Sequence, residues 1–421
     1  MRRLKVLLSA YAYEPGKGSE PGVGWHWVEQ VAQFHEVWVI TRANNREPIG
    51  RALQQEDMPT VRWVYFDLPR WARFWKKGQR GVHLYYYLWQ IGAYLVGKRL
   101  HKEVGFDLVH HVTFGVYWQP SFLVFLPVRF LWGPVGGGES APKAFYRTFS
   151  VRGRVYEFLR DLARWLAQWN PFVWLTCRWT VLALANTADT EQRLLALGCK
   201  SVLVYPHMGV WPDEIRVNVR RQDMPFRIVS VGRLIHWKGF HLGLMAFATF
   251  QEAFPASEYW LVGDGPERRS LERLTRRLHV ADKVRFWGNL PRHQVLERLT
   301  QSDVLLHPSL HDSSPAVCLE AMAAGRPVIC LDVGGPTLQV TAETGLKVIA
   351  STPEQVVNDL AEALLRLARD PDLRVRMGMA GRKRVSEVYG WQHKGRFLAQ
   401  LYQEVVDTRF SRPSGKSRRD S

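Results

Sequence analysis

At 421 residues the chain is too long for one ordinary hydrophobic core, so two domains are expected. Apolar residues make up 46% and charged residues 23%, a folded globular composition that excludes a low-complexity or disordered chain. Lys and Arg number 57 against 39 Asp and Glu, a net charge of +18 that implies an anionic partner: a phosphate-bearing substrate, an acidic membrane surface or nucleic acid.

The opening residues, MRRLKVLLSAYAYEPG, imitate a signal peptide, but the apolar run is short and reads as a buried first strand with a basic lead-in. AYEPGKGSEPGVGW follows, with Gly16, Gly18, Gly22 and Gly24 and a helix start near Pro21. Glycines permit close backbone approach, and the free N–H groups of a helix start suit a phosphate or oxyanion. The spacing fits neither the Walker A loop nor the dinucleotide fingerprint. EVWVIT, VRWVYF, FDLVHHV, RFLWGPV and WTVLALAN read as further strands, continuously apolar like parallel strands covered on both faces. A second Gly-rich loop, WGPVGGGES, follows the strand at 129–132, and ADTEQRLLALG reads as a helix stopped at Gly198. SFLVFLPVRFLW and FVWLTCRWTVLALA are interrupted by Arg129 and Arg178 and fall short of the roughly 20 apolar residues of a transmembrane span.

PHMGVWPDEIRVNVRRQDMPFR (206–227), rich in Pro and charge, marks a break between domains. Beyond it the alternation is cleaner: FRIVSVG, SEYWLVGDG, KVRFWGN, DVLLHPS and PVICLD as strands, with helices between them. Such alternation predicts doubly wound parallel sheets, whose ligands lie outside the carboxyl ends of the strands. The expected division is a first domain over 1–205, a second over 206–385, a terminal helix at 386–407 and a disordered basic tail at 408–421. Cys177, Cys199, Cys318 and Cys330 form no CxxC pair or cluster, so neither zinc nor a disulfide framework is expected, in keeping with a cytoplasmic protein.

HDSSPAVCLEAMAAG (311–325) carries two acids, Asp312 in a loop after a strand and Glu320 about a turn and a half into the next helix, for which Ser314 is the expected cap and Pro315 the first residue. Carboxylates accept from several donors at once and can each hold a diol, as sugars and riboses present. VGRLIHWKG, after the strand FRIVS, delivers Arg233 and Lys238 to the same kind of strand edge; a forked guanidinium and a point-charge ammonium suit a diphosphate.

Together these residues resemble a retaining glycosyltransferase of the GT-B fold, of the glycosyltransferase family 4 (group 1) type. VGRLIHWKG, LVGDGPER, LEAMAAGRPVI and the following Gly pair stand in family-like order, and GSEPGVGWHWVEQVAQFHEVWVIT resembles the first loop, helix and second strand of the N-terminal domain. The resemblance implies two Rossmann-like α/β domains facing across a cleft, an acceptor-side domain over 1–205 and a donor domain over 206–385 that binds a nucleoside-diphosphate sugar, with the helix at 386–407 crossing back to the first. It implies that Gly232, Arg233 and Lys238 hold the diphosphate and that Glu320 binds the ribose. Gly288, Asn289 and Leu290 would meet the base, and Gly18 would lie near the phosphate. Asp312 stands where the family's E-x7-E motif carries its first Glu, a departure that shortens the side chain by one methylene. The family's D-x-x-H-x-H pattern is matched at Asp107 and His110, with Val112 in the second His position. His110 is the favoured catalytic histidine by register, and His111 is its substitute if the strand ends early.

The implied activity is transfer of a sugar to an acceptor hydroxyl with retention, without a metal or other cofactor. Residues 1–205 hold 26 Lys and Arg against 15 Asp and Glu and 13 of the 18 Trp. Basic helices with interfacial aromatics lie on anionic bilayers, so peripheral docking on the inner membrane face, beside a carbohydrate or lipid-linked acceptor, is expected, with no nucleic acid. Two alternatives are a nucleotide-sugar epimerase of the same fold and a non-catalytic basic polyanion-binding protein.

Overall fold

The computed structural model describes residues 2–16, 19–54, 58–76, 81–215 and 225–407. Gly18, residues 216–224 of the expected inter-domain break and the expected tail at 408–421 lie outside the described residues.

Seven strands form the first sheet: β1 (Lys5–Ser9), β2 (Glu36–Thr41), β3 (Val61–Tyr65), β4 (Leu108–His111), β5 (Arg129–Val135), β6 (Leu182–Ala185) and β7 (Val202–Val204). They are parallel and ordered β3-β2-β1-β4-β5-β6-β7. Strand order reverses between β1 and β4, where Leu8 pairs with His110 and Ser9 with His111. The residues expected to be apolar and covered are so: Leu7, Trp38, Val109, Phe130, Trp132 and Ala183 share one core cluster with Tyr86 and Trp89 of helix Val82–Val104.

The second sheet holds β8 (Phe226–Val231), β9 (Ser257–Val262), β10 (Val284–Gly288), β11 (Val304–His307), β12 (Val328–Leu331) and β13 (Gly345–Val348), parallel and ordered β10-β9-β8-β11-β12-β13. Its reversal lies between β8 and β11, where Ile228 pairs with Val304 and Val229 with Leu305. Ile228, Tyr259, Leu261, Leu306, Ile329 and Leu331 are buried in one cluster with Phe240 and Phe247 of helix Phe240–Ala253. A doubly wound sheet leaves a crevice at the carboxyl ends of the two strands where order reverses, so β8 and β11 set the place of the site.

The backbone divides into two compact units: 1–138 with 163–207 and 394–421, and 139–162 with 208–393. The expected break at 205/206 is two residues early. The larger difference is that 139–162 belongs with the second unit, because the sequence of helix Val151–Ala167 carries no break where the assignment changes. β7 and β13 were not expected. Val202–Val204 is only three residues long, and Gly345–Val348 begins with Gly and carries the exposed Lys347, so neither shows the long apolar run of the others. All four cysteines are free and buried. Among the described residues no helix is long and apolar enough to cross a membrane.

Candidate functional site

The chain leaves β8 through Gly232 and Arg233, makes a short 3-10 turn over His236–Lys238 and enters helix Phe240–Ala253 through Gly239. Gly239 has φ +65°, and a Cβ there would stand 1.9 Å from the Pro308 carbonyl oxygen. Only glycine lets this turn lie against the loop after β11. Leu310 N–H donates to the Trp237 carbonyl at 2.8 Å, which joins the two loops by backbone as well.

That contact brings Lys238 to Asp312. The Asp312 carboxylate accepts from Lys238 Nζ and, at 3.2 Å, from Nε2 of His307 at the end of β11. Burial alone would raise the Asp312 carboxyl, but the Lys238 charge and the His307 hydrogen bond outweigh it and hold the group well below the usual carboxylate range. Burial pushes the His307 imidazole down, so a neutral ring donates to a charged carboxylate. Gly334 (φ +61°) and Gly335 close the loop from the other side: Gly335 N–H donates to the Asp312 carbonyl at 2.7 Å. Arg233, by contrast, is exposed and makes no ion pair among the described residues. The turn thus presents one committed cation and one open one.

Glu320 lies on helix Ala316–Ala323, which the small residues Ala316, Ala321 and Ala323 allow to pack closely. Pro315 is the cap residue and makes no side-chain bond. Ser314, expected to cap, instead accepts from Gln339 Nε2 at 3.3 Å, because the helix starts one residue later than its Pro suggested. The Glu320 carboxylate is buried 3.4 Å from Arg292 Nε. Burial raises its carboxyl and Arg292 opposes the rise. Arg292 also pairs with Glu214 at 3.3 Å, so Glu320 and Asp312 have separate cationic partners. At the end of β10, Gly288 (φ +70°) gives its carbonyl to Gly263 N–H at 2.8 Å, whereas Asn289 is exposed and Leu290 half-buried.

His110 does not present an open ring nitrogen. Its Nδ1 meets the Tyr402 hydroxyl at 2.5 Å and its Nε2 the Gly133 carbonyl at 2.6 Å, so Nε2 carries the proton and Nδ1 accepts. Burial pushes it down to about 3. His111 is as fully engaged, with Ser121 Oγ at 2.9 Å, the Tyr86 hydroxyl at 2.8 Å and the Thr113 carbonyl at 3.1 Å. The register argument separated the two faces of β4 correctly, but both faces are covered, so the expectation of a ligand-facing histidine at 110 is not met. The second Gly-rich loop is also spent on structure: Gly138 N–H donates to Thr190 Oγ1 at 3.0 Å, and the Gly137 carbonyl accepts from Arg164.

Sequence reasoning missed Arg292, His307 and a buried carboxylate, Glu157. Nothing in the spacing of DVLLHP or PRHQVLERLTQS sets these apart from ordinary strand-end and helix residues. Among the described residues no group of three or more His, Cys, Asp or Glu could hold a metal ion.

Residues 212–384, from just before β8 to past β13, match the family model of glycosyl transferases group 1. Through this segment the chain is similar to the group 1 glycosyl transferases. The group 1 relatives include a 2-deoxystreptamine glucosyltransferase of Streptomyces kanamyceticus, 32% identical over 56% of this chain and 65% of its own. A lipopolysaccharide core biosynthesis glycosyltransferase, LpsD of Rhizobium meliloti, is 33% identical over 47% of this chain and 53% of its own. The chain thus spans only about half to two thirds of these curated relatives. The crystal structure of Anabaena HepE with UDP and glucose superposes with a TM-score of 0.61 at 17% identity, covering 96% of this chain and all of that one. That likeness shows the fold alone: two parallel-sheet α/β domains of the GT-B class.

Proposed function

We propose that this protein transfers a sugar from a nucleoside-diphosphate sugar to an acceptor hydroxyl with the anomeric configuration retained, in cell-surface polysaccharide or glycolipid synthesis. The observation that carries the reading is the Lys238–Asp312 pair at the β8/β11 reversal, with Arg233 open beside Lys238 in the same turn. A diphosphate arriving at that edge meets Arg233 first and competes with Asp312 for Lys238. Once Lys238 turns to phosphate, the Asp312 carboxylate is left to accept from a sugar hydroxyl, and Glu320, released from Arg292, takes the ribose diol. Charge grows on the leaving diphosphate in the transition state, and fixed cations there lower the barrier. Arg233 and Lys238 supply that charge in this reading, so no metal is required. HepE, of the same fold, was crystallised with UDP and glucose, and LpsD is named for lipopolysaccharide core synthesis; both support this class of donor and product.

The same reading places the enzyme on the inner face of a membrane, near a lipid-linked acceptor. In the first unit, Leu84, Ile91 and Leu95 lie exposed along one stripe of helix Val82–Val104, and Lys98 and Lys102 continue it. Aromatic pairs extend the face to helix Pro171–Trp179: Tyr87–Phe122–Phe172 at 5.5 and 5.1 Å, and Tyr94–Phe125–Trp179 at 6.3 and 5.2 Å. Trp169, 73% exposed, and Trp174 stand beside it, in a stretch (162–188) without an acidic residue. Apolar and aromatic groups bordered by cations match an anionic bilayer surface.

Calorimetric titration with UDP-, GDP- and ADP-sugars, followed by turnover of Arg233→Ala, tests the reaction. Binding of one donor and a loss on the order of 10²-fold in kcat/KM are expected for that variant. An Arg233→Ala enzyme turning over at the wild-type rate refutes the diphosphate role. Donor conversion without any acceptor would favour an epimerase. Co-sedimentation with phosphatidylglycerol-containing vesicles at low salt tests the membrane face, and protein left in the supernatant refutes it.

A further inference from the structure

Helix Val151–Ala167 places the carboxylate of Glu157 wholly inside the second unit. Its Oε1 accepts from His236 Nε2 at 2.9 Å and lies 3.3 Å from His311 Nε2, which also meets Arg160 Nη1 at 3.1 Å. Its Oε2 accepts from Arg160 Nη1 at 3.3 Å, and the other arm of Arg160 donates to the Glu139 carbonyl at 2.8 Å. Burial alone would raise the carboxyl, but the two imidazole bonds and the Arg160 charge hold it well below the usual range, so it is a carboxylate.

The two imidazoles belong to the two loops of the candidate site. His236 opens the turn that ends at Lys238, and His311 directly precedes Asp312. Glu157 and its partner Arg160 therefore tie together the loop after β8 and the loop after β11. The packing repeats the link: the Tyr156 ring stacks on Trp237 at 5.1 Å, and Trp237 stacks on His311 at 5.2 Å. Helix and turn come this close because residue 153 is glycine; a Cβ there would stand 2.7 Å from the His236 ring.

We propose that Glu157 is a positioning residue: through His236 and His311 it fixes the separation of Lys238 and Asp312, and so prepares the donor site before the donor arrives. This rests on the donor-site reading above. An apolar side chain would fill the same space without a desolvation cost. What the carboxylate adds is direction, since the His236 N–H points to one of its oxygens and Arg160, held on the other, meets the His311 ring, and preorganised groups need no rearrangement when the ligand binds.

The test uses full-length Glu157→Ala and Glu157→Gln, with two readouts. The first is amide hydrogen exchange of residues 308–312 and 236–239, which reports local opening whether or not a ligand is known. The second is calorimetric affinity for UDP, GDP and ADP. Glu157→Ala is expected to speed exchange in both loops and to weaken nucleoside diphosphate binding about tenfold, while exchange in β8 and β11 stays as in the wild type. Glu157→Gln, which keeps the shape and one acceptor oxygen, should recover most of both; if Glu157→Ala does not fold, Gln is read alone, with faster exchange in both loops and a loss of about twofold expected. Unchanged exchange in the two loops overturns the proposal, as does unchanged affinity in a variant whose loops exchange faster. A wild-type protein that binds none of the three nucleotides overturns the donor-site reading instead, and loop exchange still decides the role of Glu157.

Discussion

Replacing Asp312 by Asn isolates the charge at the junction of the two loops. The wild-type carboxylate accepts from an ammonium and an imidazole, with its side chain 19% exposed. A hydrogen bond to a charged group contributes about 1.5–3 kcal/mol and a neutral one about 1 kcal/mol. Asn keeps the shape and one neutral bond, so after allowance for partial exposure the second unit should lose about 2 kcal/mol. The pH dependence has a definite sign. The folded carboxyl is depressed, so its contribution is present above the unfolded value of about 4 and is lost as pH falls towards the folded one. Exchange of core amides in β11 and β12 measures the opening free energy of that unit. The gap between wild type and Asp312→Asn should hold from pH 7 to about 5 and shrink below about 4. A gap under about 0.5 kcal/mol, or one that persists undiminished in acid, refutes the pairing argument. Because Lys238 then lacks its counter-ion, the same variant should bind free UDP more tightly.

Glu320→Ala should weaken nucleoside diphosphate binding about tenfold by calorimetry, and an unchanged affinity would remove Glu320 from the ribose. In the first unit, burial pushes His110 down to about 3 and His111 to about 4. The unfolded chain protonates both near 6.5, so stability is complete above that pH and falls by about 1.4 kcal/mol per pH unit for each histidine as pH drops. Acid titration followed by near-UV circular dichroism checks this, and a flat stability between pH 6 and 4.5 would contradict it. Gly239→Ala combines a left-handed backbone with a clash against Pro308 and should cost more than about 3 kcal/mol; a wild-type melting temperature would show that the two loops do not depend on that approach.

Both parallel sheets were legible because their strands are apolar runs covered on two faces, which a sequence displays directly. Arg233, Lys238, Asp312 and Glu320 were legible for a related reason: strand ends and helix starts can be read from the chain, and ligands in such sheets gather at strand ends. Partners were not legible. That Lys238 is held by Asp312, and Glu320 by Arg292, depends on contacts between segments about thirty to seventy residues apart. His110 shows the limit most clearly. Its face of β4 was readable from alternation, but the Tyr402 hydroxyl that occupies its Nδ1 comes from the far end of the chain. Glu157 shares its helix with Asp161 and four arginines, and only the fold reveals which unit it serves.

The pairing of His110 with Tyr402 carries a consequence for biosynthesis. The first unit contains the opening 138 residues and also residues from 394 onward, with Gly395 packed on Gln30 and Gln403 bonded to the Arg2 carbonyl. During translation the second unit is complete by His393, so residues 1–138 are made before it while their own unit is finished after it. Until residues 394–407 emerge, His110 has Trp27 beside it but lacks its Tyr402 partner, so the core of the first unit closes only after the second unit has been made.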